Sequence, residues 1–310
     1  MQKFSYHTHT NSFGVYDGHN SATEMIAAAE AAGYTELGIS NHLICKKGIS
    51  RFSPQFFDDF KQAETVYLKT IDEIRTAAHH LICKKGISRF SPQFFDDFKQ
   101  AETVYLKTID EIRTAAQKYK IKVYVGFEVD YFKSADWRRG FEKLRKRLDV
   151  DYLIGSTHCL LNDDAEWVQN IYEMARKPVY VDDESKREGI RNYWLNVVES
   201  IKSGYFDFIA HLDVIKIFGM GLEPEWDEYK WRVIETLSET KQPYELNTSG
   251  WNKAGEQHPH TWMLAELSKR NVPVVISDDA HSTAMLAQHF DRAEKLLTEL
   301  NYTNRWRLNK

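Results

Sequence analysis

Short apolar runs alternate with longer amphipathic stretches along the whole chain. Residues 3–10 alternate and are rich in β-formers, which predicts a strand ending in histidines. An Ala-rich helix is expected over 21–32, with Ser21 as N-cap, Glu24 three positions on and Gly33 as the stop. Further strands are predicted at 34–40, 122–129, 152–156, 206–210, 243–247 and 272–277. Helices are predicted at 136–148, 188–203, 226–239, 260–270 and 283–300. Seven β/α units with apolar strands argue for a parallel sheet closed into a barrel, in one domain spanning 1–310. Residues 162–185 form a long insert after the fourth strand, placed to act as a lid.

One block interrupts this rhythm. Residues 42–78 recur without a change at 80–116, with His79 at the junction. Repeats that function separately drift apart, and a stacked array needs about three copies to bury its faces. The block is best explained as a recent or engineered tandem duplication, or as an error in the recorded chain. One copy is expected to be dispensable. An amphipathic helix is predicted at 54–78 and again at 92–119.

Composition narrows the function. Forty-one basic and 45 acidic side chains leave a net charge of −4, which predicts no general affinity for nucleic acid or anionic membrane. No apolar run approaches the roughly 20 residues needed to span a bilayer, and the N-terminus lacks a signal-peptide core. Only three cysteines occur, two of them in the repeated block, so a reducing, cytoplasmic setting is expected. Twelve histidines are the unusual feature.

The histidines fall where barrel chemistry gathers, at the carboxyl ends of the strands. The first strand ends in His7-Thr8-His9 and the second in His42. The third carries Glu128 and Asp130, the fourth ends in His158, and the fifth in His211-Leu212-Asp213. The sixth carries Glu245 and Asn247; the seventh ends in Asp278-Asp279-Ala280-His281. In His7-x-His9 both side chains leave an extended strand on one side, so both can ligate one cation. Imidazole with carboxylate suits Zn, Mn or Fe, and more ligands are present than one tetrahedral ion can use. A cluster of two or three ions bridged by Glu128 fits the count. Such a cluster suits phosphoryl displacement.

These residues sit in motifs that resemble the PHP (polymerase and histidinol phosphatase) superfamily, and within it the monofunctional bacterial histidinol-phosphate phosphatases. The motifs are HTH at 7–9, NH at 41–42, GFEVDY at 126–131, GSTHC at 155–159, IAHLDVIKIFG at 209–219, ELNTSG at 245–250 and SDDAH at 277–281. The resemblance implies an α/β fold, a distorted (β/α)7 barrel, with a multinuclear metal site at the C-terminal ends of the strands. It implies three divalent ions. His7, His9, Glu128 and Asp279 would hold the first, Glu128, His158 and His211 the second, and His19, His42 and His281 the third. His42 is preferred to His80 because a strand precedes it. Asp279 is preferred to Asp278 as the second position before the histidine.

The implied activity is histidinol-phosphate phosphatase on a small phosphorylated metabolite. The alternatives are a phosphoesterase of the same family acting on another metabolite or nucleotide, and a metal-binding protein without turnover. The family often carries a phosphate-gripping arginine after its Asn-Thr-Ser-Gly turn, whereas this chain reads Trp251-Asn252-Lys253. Lys253 and Lys216 are the candidates to bind phosphate in its stead, without the bidentate fork. Asp213, two residues beyond His211, is the candidate to protonate the leaving alkoxide, with orienting a ligand histidine as the alternative. His258 and His260 flank Pro259 at a helix start, where capping or exposure is expected and contact with substrate is the alternative.

Overall fold

The computed structural model describes residues 2–12, 18–45, 94–95, 97–161, 168–171, 174 and 183–309. Its strands and helices follow the order β1 (Phe4–Ser5), α1 (Ala22–Ala31), β2 (Glu36–Ile39), β3 (His42–Cys45), β4 (Phe94–Phe95), α2 (Phe98–Ala116), β5 (Lys122–Asp130), α3 (Ala135–Arg145) and β6 (Tyr152–Ser156). They continue with β7 (Cys159–Leu161), β8 (Val168–Asn170), α4 (Asp183–Lys202), β9 (Phe208–Ile209), α5 (Asp227–Thr240), β10 (Tyr244–Asn247), the single turn α6 (Gly250–Lys253), α7 (Thr261–Lys269), β11 (Val274–Ser277) and α8 (Phe290–Glu299).

Seven strands form one parallel path, β1-β2-β5-β6-β9-β10-β11. The ends meet where Thr8 bridges Ala280, with the His9 N–H donating to the Ala280 carbonyl at 2.8 Å. The expected barrel is therefore nearly closed. Side chains alternate along each strand, so Tyr124, Gly126 and Glu128 face inward together. Tyr6, Tyr124, Tyr152, Phe208, Val275 and Leu308 fill the lower interior as one cluster, and a larger one lies between strands and helices. The Tyr152 hydroxyl donates to the Tyr6 carbonyl at 2.6 Å. Gly126 makes room for that ring, since a Cβ there would lie 2.5 Å from it.

Several local expectations hold for their stated reason. Ser21 and Glu24 form the reciprocal cap of α1, and Gly33 leaves it at φ +76°. The final helix differs. The predicted 283–300 segment is a 3-10 turn at Thr283–Met285 followed by α8, with Ala287 and His289 both at positive φ between them. The Ala287 N–H donates to the Asp278 carboxylate at 2.8 Å, which draws the chain inward and breaks the helix.

The duplicated block is divided between its copies. β3 comes from the first copy, and β4 and α2 come from the second. They meet directly: Ile44 and Cys45 pair with Phe94 and Phe95, and the Ile44 N–H donates to the Tyr105 hydroxyl at 3.2 Å. The helix predicted at 54–78, and His80, lie outside the described residues. Of the expected lid over 162–185, β8 is described, forming an antiparallel ribbon with β7, and α4 begins at Asp183. No helix among the described residues is long and apolar enough to cross a membrane. Cys45 and Cys159 are buried.

Candidate metal centre

Glu128 leaves β5 at the centre of the barrel mouth, and His42 lies beside it in the β3–β5 register. Oε2 of Glu128 lies 3.2 Å from Nε2 of His7, 3.6 Å from Nε2 of His9 and 3.0 Å from Nε2 of His42. Oε1 lies 3.0 Å from Nε2 of His211 and 3.7 Å from Nε2 of His158. Five imidazoles from four different segments thus converge on one buried carboxylate. Burial opposes its charge, but His42, His7 and His158 outweigh that and hold its carboxyl well below the ordinary range.

Asp279 supplies the second acidic wall. Its Oδ1 lies 3.6 Å from Nε2 of His7, 3.4 Å from Nε2 of His9 and 3.5 Å from Nδ1 of His281. A positive φ of 47° turns it into the mouth. Asp278 faces the other way, accepting from Ser5 and Tyr34. The His9 ring stacks on His281 at 4.1 Å and on His42 at 4.6 Å.

This packing makes poor sense as a hydrophobic or hydrogen-bonded core. Nε2 of His7 is buried without a hydrogen-bond partner among the described residues, although buried polar atoms ordinarily have one. The donor set suits borderline divalent cations. Four overlapping groups bring ligand atoms within 4.8 Å of one another: His9, His42 and His281; His7, Glu128 and His211; His7, His9 and Asp279; and His42, Glu128 and His158. His19 belongs to none of them. Its side chain is exposed, while its backbone N–H donates to the His281 carbonyl at 2.7 Å. His9 stands beside His42 and His281 where His19 was expected.

Buried acids set the imidazoles. Oε2 of Glu245 accepts from Nδ1 of His7 at 2.8 Å, and Oδ2 of Asp130 lies 3.1 Å from Nδ1 of His158. Each turns the ring's Nε2 toward Glu128. The sequence placed both acids at strand ends without giving either a role.

Two of the expected site residues are engaged by protein partners. Asp213 is buried, and its oxygens are taken by Nδ1 of His258 at 2.7 Å, Nζ of Lys216 at 3.0 Å and the His260 N–H at 2.8 Å. Burial opposes its charge, but Lys216 and His258 hold it well below the ordinary carboxylate range. Its carboxylate is thereby tied to His258, Lys216 and the 257–260 turn. Lys216 is likewise occupied, by Asp213, Glu256 and the Gln257 carbonyl, and it does not line the cavity. Lys253 does line it, half exposed, with Nζ 3.1 Å from Oδ2 of Asp279.

His258 was expected to cap or to face solvent, yet it is buried and lines the cavity. His260 is the cap, accepting from the Trp262 N–H. Only the spatial approach of the Asp213 segment to the 257–260 turn reveals His258. The cavity measures about 410 Å³ including its open mouth and is completed by Val214, Ile217 and Ser249.

The PHP domain family matches residues 5–249 of this chain. A Deinococcus radiodurans protein named "Probable histidinol-phosphatase" is 28% identical over 185 residues, covering 58% of this chain and 66% of that relative. A Listeria monocytogenes structure assigned as the histidinol phosphatase hisK superposes with a TM-score of 0.63 at 16% identity, covering 93% of this chain and 99% of that one. The histidinol phosphate phosphatase of Lactococcus lactis, solved with zinc, L-histidinol and phosphate, gives 0.62 at 15% identity, covering 97% and 95%.

Proposed function

The chain belongs to the PHP domain family, and on that premise we propose that it is a metal-dependent phosphomonoesterase whose substrate is L-histidinol phosphate. The observation that carries the reading is the convergence of five imidazole nitrogens on Glu128 within 3.7 Å, at the carboxyl ends of the strands. The relatives' recorded activity and the ligands of the Lactococcus lactis structure support the same substrate.

Divalent ions bound here supply an activated water and positive charge for the phosphoryl oxygens. His7, His9, His42, His158, His211, His281, Glu128 and Asp279 are the residues that would hold them. Glu245 and Asp130 fix two of those rings before any ligand arrives, so little reorganisation is needed on binding. Lys253 stands at the mouth as a cation for the substrate phosphate. As a single ammonium it attracts the phosphate without imposing an orientation.

The test is phosphate release by the metal-loaded protein from L-histidinol phosphate, a nucleoside monophosphate and a phosphodiester, assayed in parallel. The reading expects the first to exceed the others by at least about tenfold in kcat/KM. Preference for the nucleotide or the diester, or no release from any, would overturn it.

A further inference from the structure

Nε2 of His258 is buried and has no hydrogen-bond partner among the described residues. The opposite edge of the ring is committed, with Nδ1 donating to the Asp213 carboxylate at 2.7 Å. Asp213 is itself held by Lys216 and the His260 N–H, so it is not free to turn. With its N–H committed at Nδ1, the neutral imidazole presents Nε2 to the cavity as a lone pair.

A lone pair on a cavity wall repels phosphate oxygens and attracts an N–H. His258 belongs to none of the four groups that converge as metal ligands, although its ring meets His211 edge-on at 6.2 Å. It shares the cavity with the apolar side chains of Val214 and Ile217. Val214 directly follows Asp213, so the acceptor and the apolar surface belong to one wall.

We infer that this wall seats the leaving alcohol and that Nε2 of His258 accepts a hydrogen bond from an N–H on it, making His258 a specificity-determining residue for phosphomonoesters of nitrogen-bearing alcohols. The inference rests on the phosphomonoesterase reading above. A buried acceptor left unpaired by a substrate without an N–H disfavours that substrate.

The test compares His258→Asn, which keeps a partner for Asp213 and loses the far-edge acceptor, with His258→Gln, whose amide oxygen reaches the Nε2 position. The metal-loaded proteins are assayed on L-histidinol phosphate and n-butyl phosphate, with p-nitrophenyl phosphate as the general control. His258→Asn should lose about 100-fold in kcat/KM on L-histidinol phosphate, chiefly through KM, and stay within about threefold on n-butyl phosphate. His258→Gln should regain about tenfold of that loss. Equal losses on both alkyl substrates, no loss on either, or a wild type that does not prefer L-histidinol phosphate would overturn the inference. A wild type inactive on all three esters overturns the phosphomonoesterase reading itself.

Discussion

Glu245 holds His7 by its outer nitrogen. Oε2 of the acid lies 2.8 Å from Nδ1 of the ring, and the same oxygen accepts from the Ser277 hydroxyl at 2.6 Å. Oε1 accepts from the His211 N–H at 2.8 Å, so one buried carboxylate sets two segments that face Glu128. Burial opposes its charge, and the neighbouring imidazoles keep it ionised. Glu245→Gln should therefore weaken divalent-ion affinity by about 10–100-fold while the barrel stays folded. Competition against a chromophoric chelator measures this; unchanged affinity would remove Glu245 from the account.

The two lysines should separate cleanly. Lys216 is buried against Asp213, so Lys216→Met strands a buried anion and should cost about 3–5 kcal/mol in denaturant unfolding. Lys253 is half exposed at the mouth. Lys253→Met should leave stability nearly unchanged and weaken inhibition by inorganic phosphate by about tenfold. The opposite assignment of effects would exchange their roles.

Much of the centre could be read from the chain because two signals coincide there: a β-period ends, and an imidazole or acid follows. That is true of His7, His9, His158 and Asp279, while Glu128 stands near the end of its own strand. His258 had no such signal. Its local context is Pro259 and a helix start, and its role depends on Asp213 arriving 45 positions away in sequence. The break before α8 was hidden for a similar reason, since it follows from Asp278 accepting a backbone N–H nine residues on. His19 lies outside every one of the matching motifs, in the loop before α1, and its side chain is exposed.

The duplicated block posed a problem local sequence cannot solve, because identical segments have identical propensities. The flanks decide it: Asn41 leads directly into β3 of the first copy, and Gln117 leads directly out of α2 of the second. Deleting residues 46–83 joins Cys45 to Lys84 and restores one intact unit. The shortened protein should melt within a few degrees of the full chain and keep kcat/KM within about twofold, since β3, β4 and α2 are all retained. Failure to fold would show that the extra 38 residues are required.

The barrel floor predicts a steric effect. A methyl group on Gly126 would lie 2.5 Å from the Tyr152 ring, and Tyr152 is itself tied to the Tyr6 carbonyl. Gly126→Ala should destabilise by about 1–3 kcal/mol in thermal or denaturant unfolding. A neutral result would mean that the aromatic floor is loosely packed.

The central claim is that one cup holds several cations around Glu128. Elemental analysis of the purified protein, dialysed after loading with zinc or manganese, counts them directly. The account predicts about three divalent ions per chain, falling by at least about two in Glu128→Ala, because that carboxylate is shared between sites. One ion or none in the wild type, or an unchanged count in the variant, would contradict it.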